Sequence, residues 1–126
     1  FPTLDEGRRL TGLDEPPSIA ARLRSLGVKM VVLKLGPAGC YVDGPGGAFL
    51  SPGFRVEAVD TTGAGDCFAA AFLAAYLEGG GLREAARFAN AAGALSTLVV
   101  GGAEAAPTRQ DVLEFLARNN QAMAGA

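Results

Sequence analysis

The sequence predicts a layered α/β domain, and three observations carry that expectation. The run "VKMVVLKL" at 28–35 is β-branched and nearly continuously apolar, the pattern of a strand buried on both faces of a parallel sheet. A glycine-broken turn at 60–66 leads into Cys67 to Leu77, 11 residues without a charge, a length that suits a core helix and is too short for a membrane span. Around these, short helices precede the strands and three helices follow them, an order that fits helices packed on a sheet.

Taken in order, residues 4–11 and 18–26 read as short helices, the second opened by Pro16-Pro17-Ser18 and carrying Ile19, Ala20, Leu23 and Leu26 on one face. Gly36-Pro37 stops the strand that comes next. "GCYV" at 39–42, a turn at 43–47, "AFLS" at 48–51 and "FRVEAV" at 54–59 read as shorter strands or hairpins. Helices are predicted at 64–78, 82–98 and 109–119. Thr108 is the N-cap of the last, with Asp111 three residues on in a near capping box. No internal repeat or low-complexity segment interrupts this order. Phe1 in first place, and a start at 2–12 that reads like the middle of a fold, predict a portion of a longer protein.

Composition removes several classes of function. The net charge of −2 lacks the basic excess that phosphate-backbone contacts need, so no nucleic-acid partner is expected. No stretch is long and apolar enough for a membrane partner, and the lack of a signal peptide predicts a cytoplasmic protein. Two cysteines and no histidine exclude the common zinc spacings and every nucleophile activated by histidine. The available chemistry belongs to carboxylates, backbone amides and hydroxyls.

The junction "VDTTGAGDCF" at 59–68 concentrates those groups. An apolar helix starting there is expected to be buried, with Phe68, Phe72 and Tyr76 on one stripe and its alanines close to the sheet. Its first turn would then be held rigidly, with the amides of Gly63, Ala64, Gly65 and Asp66 at the positive end of the helix dipole. Glycines at 63 and 65 remove the Cβ atoms that would hold a ligand away, which makes an anion site. Asp66 in the same turn would repel a bound phosphate unless an alcohol lay between them, and its carboxylate could take that alcohol's proton during phosphoryl transfer. The plainer alternative is that Asp66 caps the helix and the glycines only make the turn. Two other phosphate loops are excluded: the only lysines are at 29 and 34, away from any Walker A ending, and Phe68 stands where a dinucleotide loop needs glycine.

"DTTGAGDCFAAAF" at 60–72 resembles the second signature of the PfkB carbohydrate kinases, the ribokinase-like sugar and nucleoside kinases. The flanks are similar in the same order: "LDEGRRLTG" at 4–12, "VVLKLGPAGCYV" at 31–42, "FANAAGALS" at 88–96 and "GGA" at 101–103. The resemblance implies a ribokinase-like three-layer αβα fold, of which residues 1–126 are the C-terminal, ATP-binding part, with the acceptor-binding part and lid absent. It implies an ATP-dependent kinase acting on a sugar hydroxyl, with ATP and Mg²⁺ as cofactors and a homodimer as one assembly of the whole protein. Alone, the fragment is expected to be inactive.

Carried onto these positions, the resemblance makes Asp66 the catalytic base and Gly63, Ala64 and Gly65 its anion hole. Gly36 and Gly39 would line the phosphates and ribose, and Asn90 would lie beside the adenine. Glu6 would organise magnesium through water. Asp60 and Thr62, with backbone carbonyls near Ser96 and Gly102, would hold a monovalent cation such as K⁺. Two departures stand out: Thr3 replaces the Asn of an Asn-x-x-Glu element, and Lys34 stands where Thr usually precedes Leu-Gly, either reaching a phosphate or ending the strand in solvent. Cys67 reads as a packed small residue rather than a nucleophile. Nucleoside or sugar-phosphate kinases, and a nucleotide-binding regulatory homologue without turnover, remain as alternatives.

Overall fold

The computed structural model describes residues 1–101 and 106–124, in two compact units, Phe1–Gly53 and Phe54–Ala126.

The first unit contains α1 (Leu4–Thr11), α2 (Pro16–Ser25), β1 (Val31–Lys34), a 3-10 turn (Gly36–Ala38), β2 (Gly39–Gly44) and β3 (Gly47–Pro52). Thr3 and Glu6 start α1 through a reciprocal capping box: the Glu6 amide donates to Thr3 Oγ1 (3.1 Å) and the Thr3 amide donates to Glu6 Oε1 (2.8 Å). α2 begins at Pro16, two residues earlier than predicted. Prolines in the first turn cost no hydrogen bond, because those amides have no partner inside a helix. Ile19 and Ala20 of α2 pack with Val31 and Leu33 of β1, and Leu4, Leu23, Leu35 and Tyr41 close around them. Gly7 is buried where α1 meets this cluster; a Cβ there would lie 2.8 Å from Ile19.

Sheet order is β1-β2-β3, and both ladders are antiparallel, with Val32 opposite Val42 and Tyr41 opposite Leu50. This corrects the parallel sheet expected from the apolar run. Val31, Val32 and Leu33 are indeed buried in succession, but burial of both faces says nothing about strand direction. The five-residue turn becomes a tight connection at 45–46 that lets β2 and β3 pair directly.

The second unit holds α3 (Ala64–Leu77), α4 (Leu82–Ser96) and α5 (Arg109–Ala124). The strand predicted at 54–59 does not form. Phe54 and Val56 alternate as a strand would, but they pack with Ala91, Ala92, Val112 and Phe115, and no ladder is made. Alternation reports one-sided burial, which an extended segment on a helical surface also satisfies. Phe54 meets Phe115 edge-on, with ring centroids 5.1 Å apart, and Arg87 lies 5.0 Å over the Phe54 ring. α4 ends at Ser96, two residues short of expectation, and α5 runs beyond 119 to Ala124. Thr108 and Asp111 form the predicted box, with reciprocal bonds of 2.9 and 3.1 Å.

α3 was expected to be buried and is covered on one side only. Phe68 and Phe72 are buried in a stacked row that continues to Tyr76, while Ala70, Leu73, Ala74 and Leu77 are exposed. None of the described helices is long and apolar enough to cross a membrane.

Candidate active site

The second unit assembles most of the predicted site around the start of α3. Gly63 is the N-cap with φ +75°, a left-handed conformation that other residues adopt only with strain, so glycine is required by the turn itself. Gly65, in contrast, lies within the helix and is not among the glycines with positive φ. Its missing Cβ is therefore not required by the backbone conformation. The first helical bond runs from the Cys67 amide to the Gly63 carbonyl (2.9 Å). The amides of Gly65 and Asp66 precede it and have no intrahelical acceptor. The Ala64 amide donates to the Thr61 carbonyl (3.2 Å), which takes it out of the four-amide cradle expected from sequence.

Asp66 is exposed at the third helical position, where acidic residues often cap. Glu6 and Asp111 occupy the same position in α1 and α5, and each accepts from its N-cap amide. α3 has no side-chain cap bond. Asp66 thus stands exposed at the positive end of the dipole, in a helix without the side-chain cap bond that α1 and α5 have.

Asp60 positions the turn. Its Oδ1 accepts from the Thr62 amide (2.9 Å) and its Oδ2 from the Gly101 amide (3.4 Å). The Val59 and Asp60 amides both donate to the Thr97 carbonyl (2.7 and 2.9 Å), tying the segment before α3 to the end of α4. Hydrogen bonds from Thr62, its side chain first and then its amide, hold the Asp60 carboxyl below its ordinary value. Thr97 was missed by the sequence reading, because it acts through a carbonyl that every residue type possesses. The Asx turn of Asp60 was signalled, since Asp two residues before Thr62 is a turn former.

Of the other cation ligands expected, Ser96 is buried and its hydroxyl donates to the Gly93 carbonyl (2.7 Å), Thr62 is exposed, and Gly102 lies outside the described residues. Among the described residues no three His, Cys, Asp or Glu side chains cluster as a metal site. Of the expected cation ligands that the structure describes, Asp60 is the carboxylate.

α4 crosses the start of α3 closely: a Cβ at Gly93 would sit 3.7 Å from the Ala64 carbonyl oxygen. Cys67 Sγ lies 3.6 Å from the Ala92 carbonyl oxygen, and burial pushes its thiol up, as suits a packed residue and not a nucleophile. Asn90 is buried on α4, with 7% of its surface exposed.

The first unit holds the remaining predicted residues. Lys34 ends β1, half-buried, with its amide bonded to the Pro2 carbonyl (2.8 Å) and its strand bridged to Thr3. Gly36 is exposed with φ +62° and open space where a Cβ would be, a backbone that a ligand can approach. Gly39 differs: it is buried, and a Cβ would fall 2.0 Å from the Ser51 carbonyl oxygen, so this glycine serves the contact between β2 and β3. Glu6 is exposed, and bonds from the Thr3 amide and hydroxyl hold its carboxyl below the usual range. Thr3 does the capping work that the expected Asn would do, so that departure leaves the helix start intact.

Residues 1–109 match the pfkB family carbohydrate kinases. This chain belongs to the PfkB family. Among PfkB relatives, it is 39% identical over 120 residues to a ribokinase of Haemophilus influenzae, covering 91% of this chain and 39% of that one. It is 39% identical over 112 residues to a 2-dehydro-3-deoxygluconokinase of Thermoproteus tenax, covering 89% and 34%. The ribokinase of Arabidopsis thaliana, solved with ribose and ATP, superimposes with a TM-score of 0.85 at 38% identity over 91% of this chain and 39% of that one. The PfkB chain described here has the ribokinase-like α/β fold and spans about two-fifths of the length of these relatives.

Proposed function

We propose that this chain is the C-terminal, ATP-binding part of a kinase that transfers the γ-phosphate of ATP to a sugar hydroxyl, with Asp66 as general base. The observation that carries it is Asp66 itself: an exposed carboxylate beside the unbonded amides of a glycine-opened helix start, in a helix without a side-chain cap. Asp66 accepts the hydroxyl proton as the sugar oxygen attacks the γ-phosphorus. The bond from that phosphorus to the β,γ-bridging oxygen breaks, and ADP leaves. Negative charge growing on the transferred group faces the Gly65 and Asp66 amides, which need no reorganisation to receive it. Gly63 fixes the direction of those amides, and Asp60 fixes Gly63 through the turn.

Mg²⁺, when bound with ATP, would supply positive charge to offset that of the phosphates. Glu6 is the carboxylate we assign to it, acting through water, since its Oε1 is already committed to Thr3. Lys34 and Gly36 at the end of β1 are assigned to the nucleotide, and Asp60 with the carbonyls around it to a monovalent cation. Relatives named for ribose and for 2-dehydro-3-deoxygluconate acceptors share this portion, so the acceptor is set by residues outside it. Intact Asp66 and the preserved α1 cap favour a catalyst over a regulatory homologue.

The test is a chimera in which these residues replace the equivalent part of the Haemophilus influenzae ribokinase. Asp66→Asn should lower ribose-dependent ADP formation by about two to four orders of magnitude, the range for a lost general base, with ATP affinity unchanged. An Asn variant turning over at the parent rate would overturn the assignment.

A further inference from the structure

The last turn of α4 is tightened: the Thr97 amide donates back to the Ala94 carbonyl (3.1 Å), three residues away, instead of reaching Gly93. The Gly93 carbonyl, which a continuing helix would give to that amide, is taken by the Ser96 hydroxyl (2.7 Å). Ser96 is 2% exposed, and its hydroxyl is also hydrogen-bonded to the Cys67 thiol. That thiol lies 3.6 Å from the Ala92 carbonyl oxygen, so Cys67 is held against α4 at two points. Thr97 holds the other limb, its carbonyl accepting from the Val59 and Asp60 amides. Two neighbouring residues of α4 thus grip both ends of the segment 59–67. Cys67 is the residue whose amide makes the first backbone bond of α3, to Gly63. Fixing its side chain therefore fixes the rotation of the first turn about the helix axis, and Asp66, about 100° away on that turn, moves with it. Alanine would serve for packing alone, as Ala71, Ala91 and Ala92 do in the surrounding apolar cluster. The hydroxyl and the thiol set this contact apart.

We propose that Ser96 is a positioning residue for phosphoryl transfer: its hydroxyl, through the Cys67 thiol, sets the direction in which the Asp66 carboxylate points. The inference rests on the reading of Asp66 as general base. It gives the Ser96 side chain a task separate from the backbone carbonyl that the resemblance assigns to a cation. Asp66 is exposed in a helix without a side-chain cap, so its orientation comes from the turn beneath it. A misplacement of about 1 Å in a reacting group can cost about a hundredfold in rate. Turnover is therefore the quantity that Ser96 controls, and substrate affinity is not.

The test places Ser96→Ala, Cys67→Ala and Cys67→Ser in the Haemophilus ribokinase chimera, and Ser96→Ala also in its Asp66→Asn form. Ser96→Ala should lower kcat by about tenfold, with KM for ATP and for ribose within about twofold of the parent. Cys67→Ala should lower kcat by a similar factor, and Cys67→Ser, which keeps a hydrogen-bonding group at the site, should recover most of it. Ser96→Ala combined with Cys67→Ala should cost no more than either alone, because both break one contact. In the Asp66→Asn chimera, Ser96→Ala should change nothing further. An unchanged kcat in Ser96→Ala, a full loss that persists in the Asp66→Asn form, or a fall in melting temperature alone would overturn the proposal. Should Ser96→Ala fail to fold, the Cys67 pair reaches the same contact from α3, and equal rates for Cys67→Ala and Cys67→Ser would overturn it. An Asp66→Asn chimera at the parent rate removes the base assignment and the positioning role together. A parent rate in Ser96→Ala beside a slow Asp66→Asn removes the positioning role only.

Discussion

At Gly63 and Gly65 two glycines two residues apart do different work. Gly63→Ala forces a side chain into the left-handed region and should cost about 1 kcal/mol of stability, read by urea denaturation. Gly65→Val keeps a helical backbone and should leave the melting curve nearly in place, because a β-branched residue in a helix costs roughly 0.5 kcal/mol relative to good helix formers. It should abolish ATP binding by covering the open amides, and calorimetry with ATP on the two proteins checks this. Equal affinities would make the turn purely structural. Gly39→Ala is the severe case: with a Cβ 2.0 Å from the Ser51 oxygen, β2 and β3 cannot stay in register, and the first unit should lose its cooperative unfolding.

Among elements, helix starts and the turn before α3 depend on ionised carboxylates. Thr3 holds the Glu6 carboxyl below its ordinary value, Thr108 does so for Asp111, and Thr62 for Asp60. A carboxyl depressed by folding contributes stability that is present above its unfolded value and is lost as pH falls through the lower folded one. Glu6 should begin to lose that contribution below its ordinary value of 4.5, and the two aspartates below 3.8. Melting temperature measured from pH 7 down to pH 3 should therefore hold and then fall, and Asp60→Asn should flatten the fall. An Asn variant with the parent's acid profile would mean that the bonds to Thr62 and Gly101 carry nothing. Thr108→Ala should lower the melting temperature by unseating α5, with no change in the turn at Gly63.

For the molecule as a whole, the relevant fact is that two reactants must be held together for phosphoryl transfer, and this chain spans about two-fifths of its relatives. The 126-residue chain alone should show no sugar-dependent ADP formation while retaining weak binding of adenine nucleotide. A coupled assay over a panel of ribose, fructose and 2-dehydro-3-deoxygluconate checks this, and robust turnover on any of them would place the acceptor site within these residues.

Local chemistry was legible in the sequence wherever neighbours along the chain decide the outcome. The helix start at Thr108, the stop at Gly36-Pro37 and the glycine turn before Asp66 all rest on contacts within four residues, so residue type and spacing suffice. The tertiary structure decided the rest. Strand direction in the β1-β2-β3 sheet, the failure of 54–59 to pair, the burial of Asn90 and Gly39, and the exposed side of α3 depend on which distant segments meet. An apolar residue records that it prefers to be covered, whereas only packing determines what covers it.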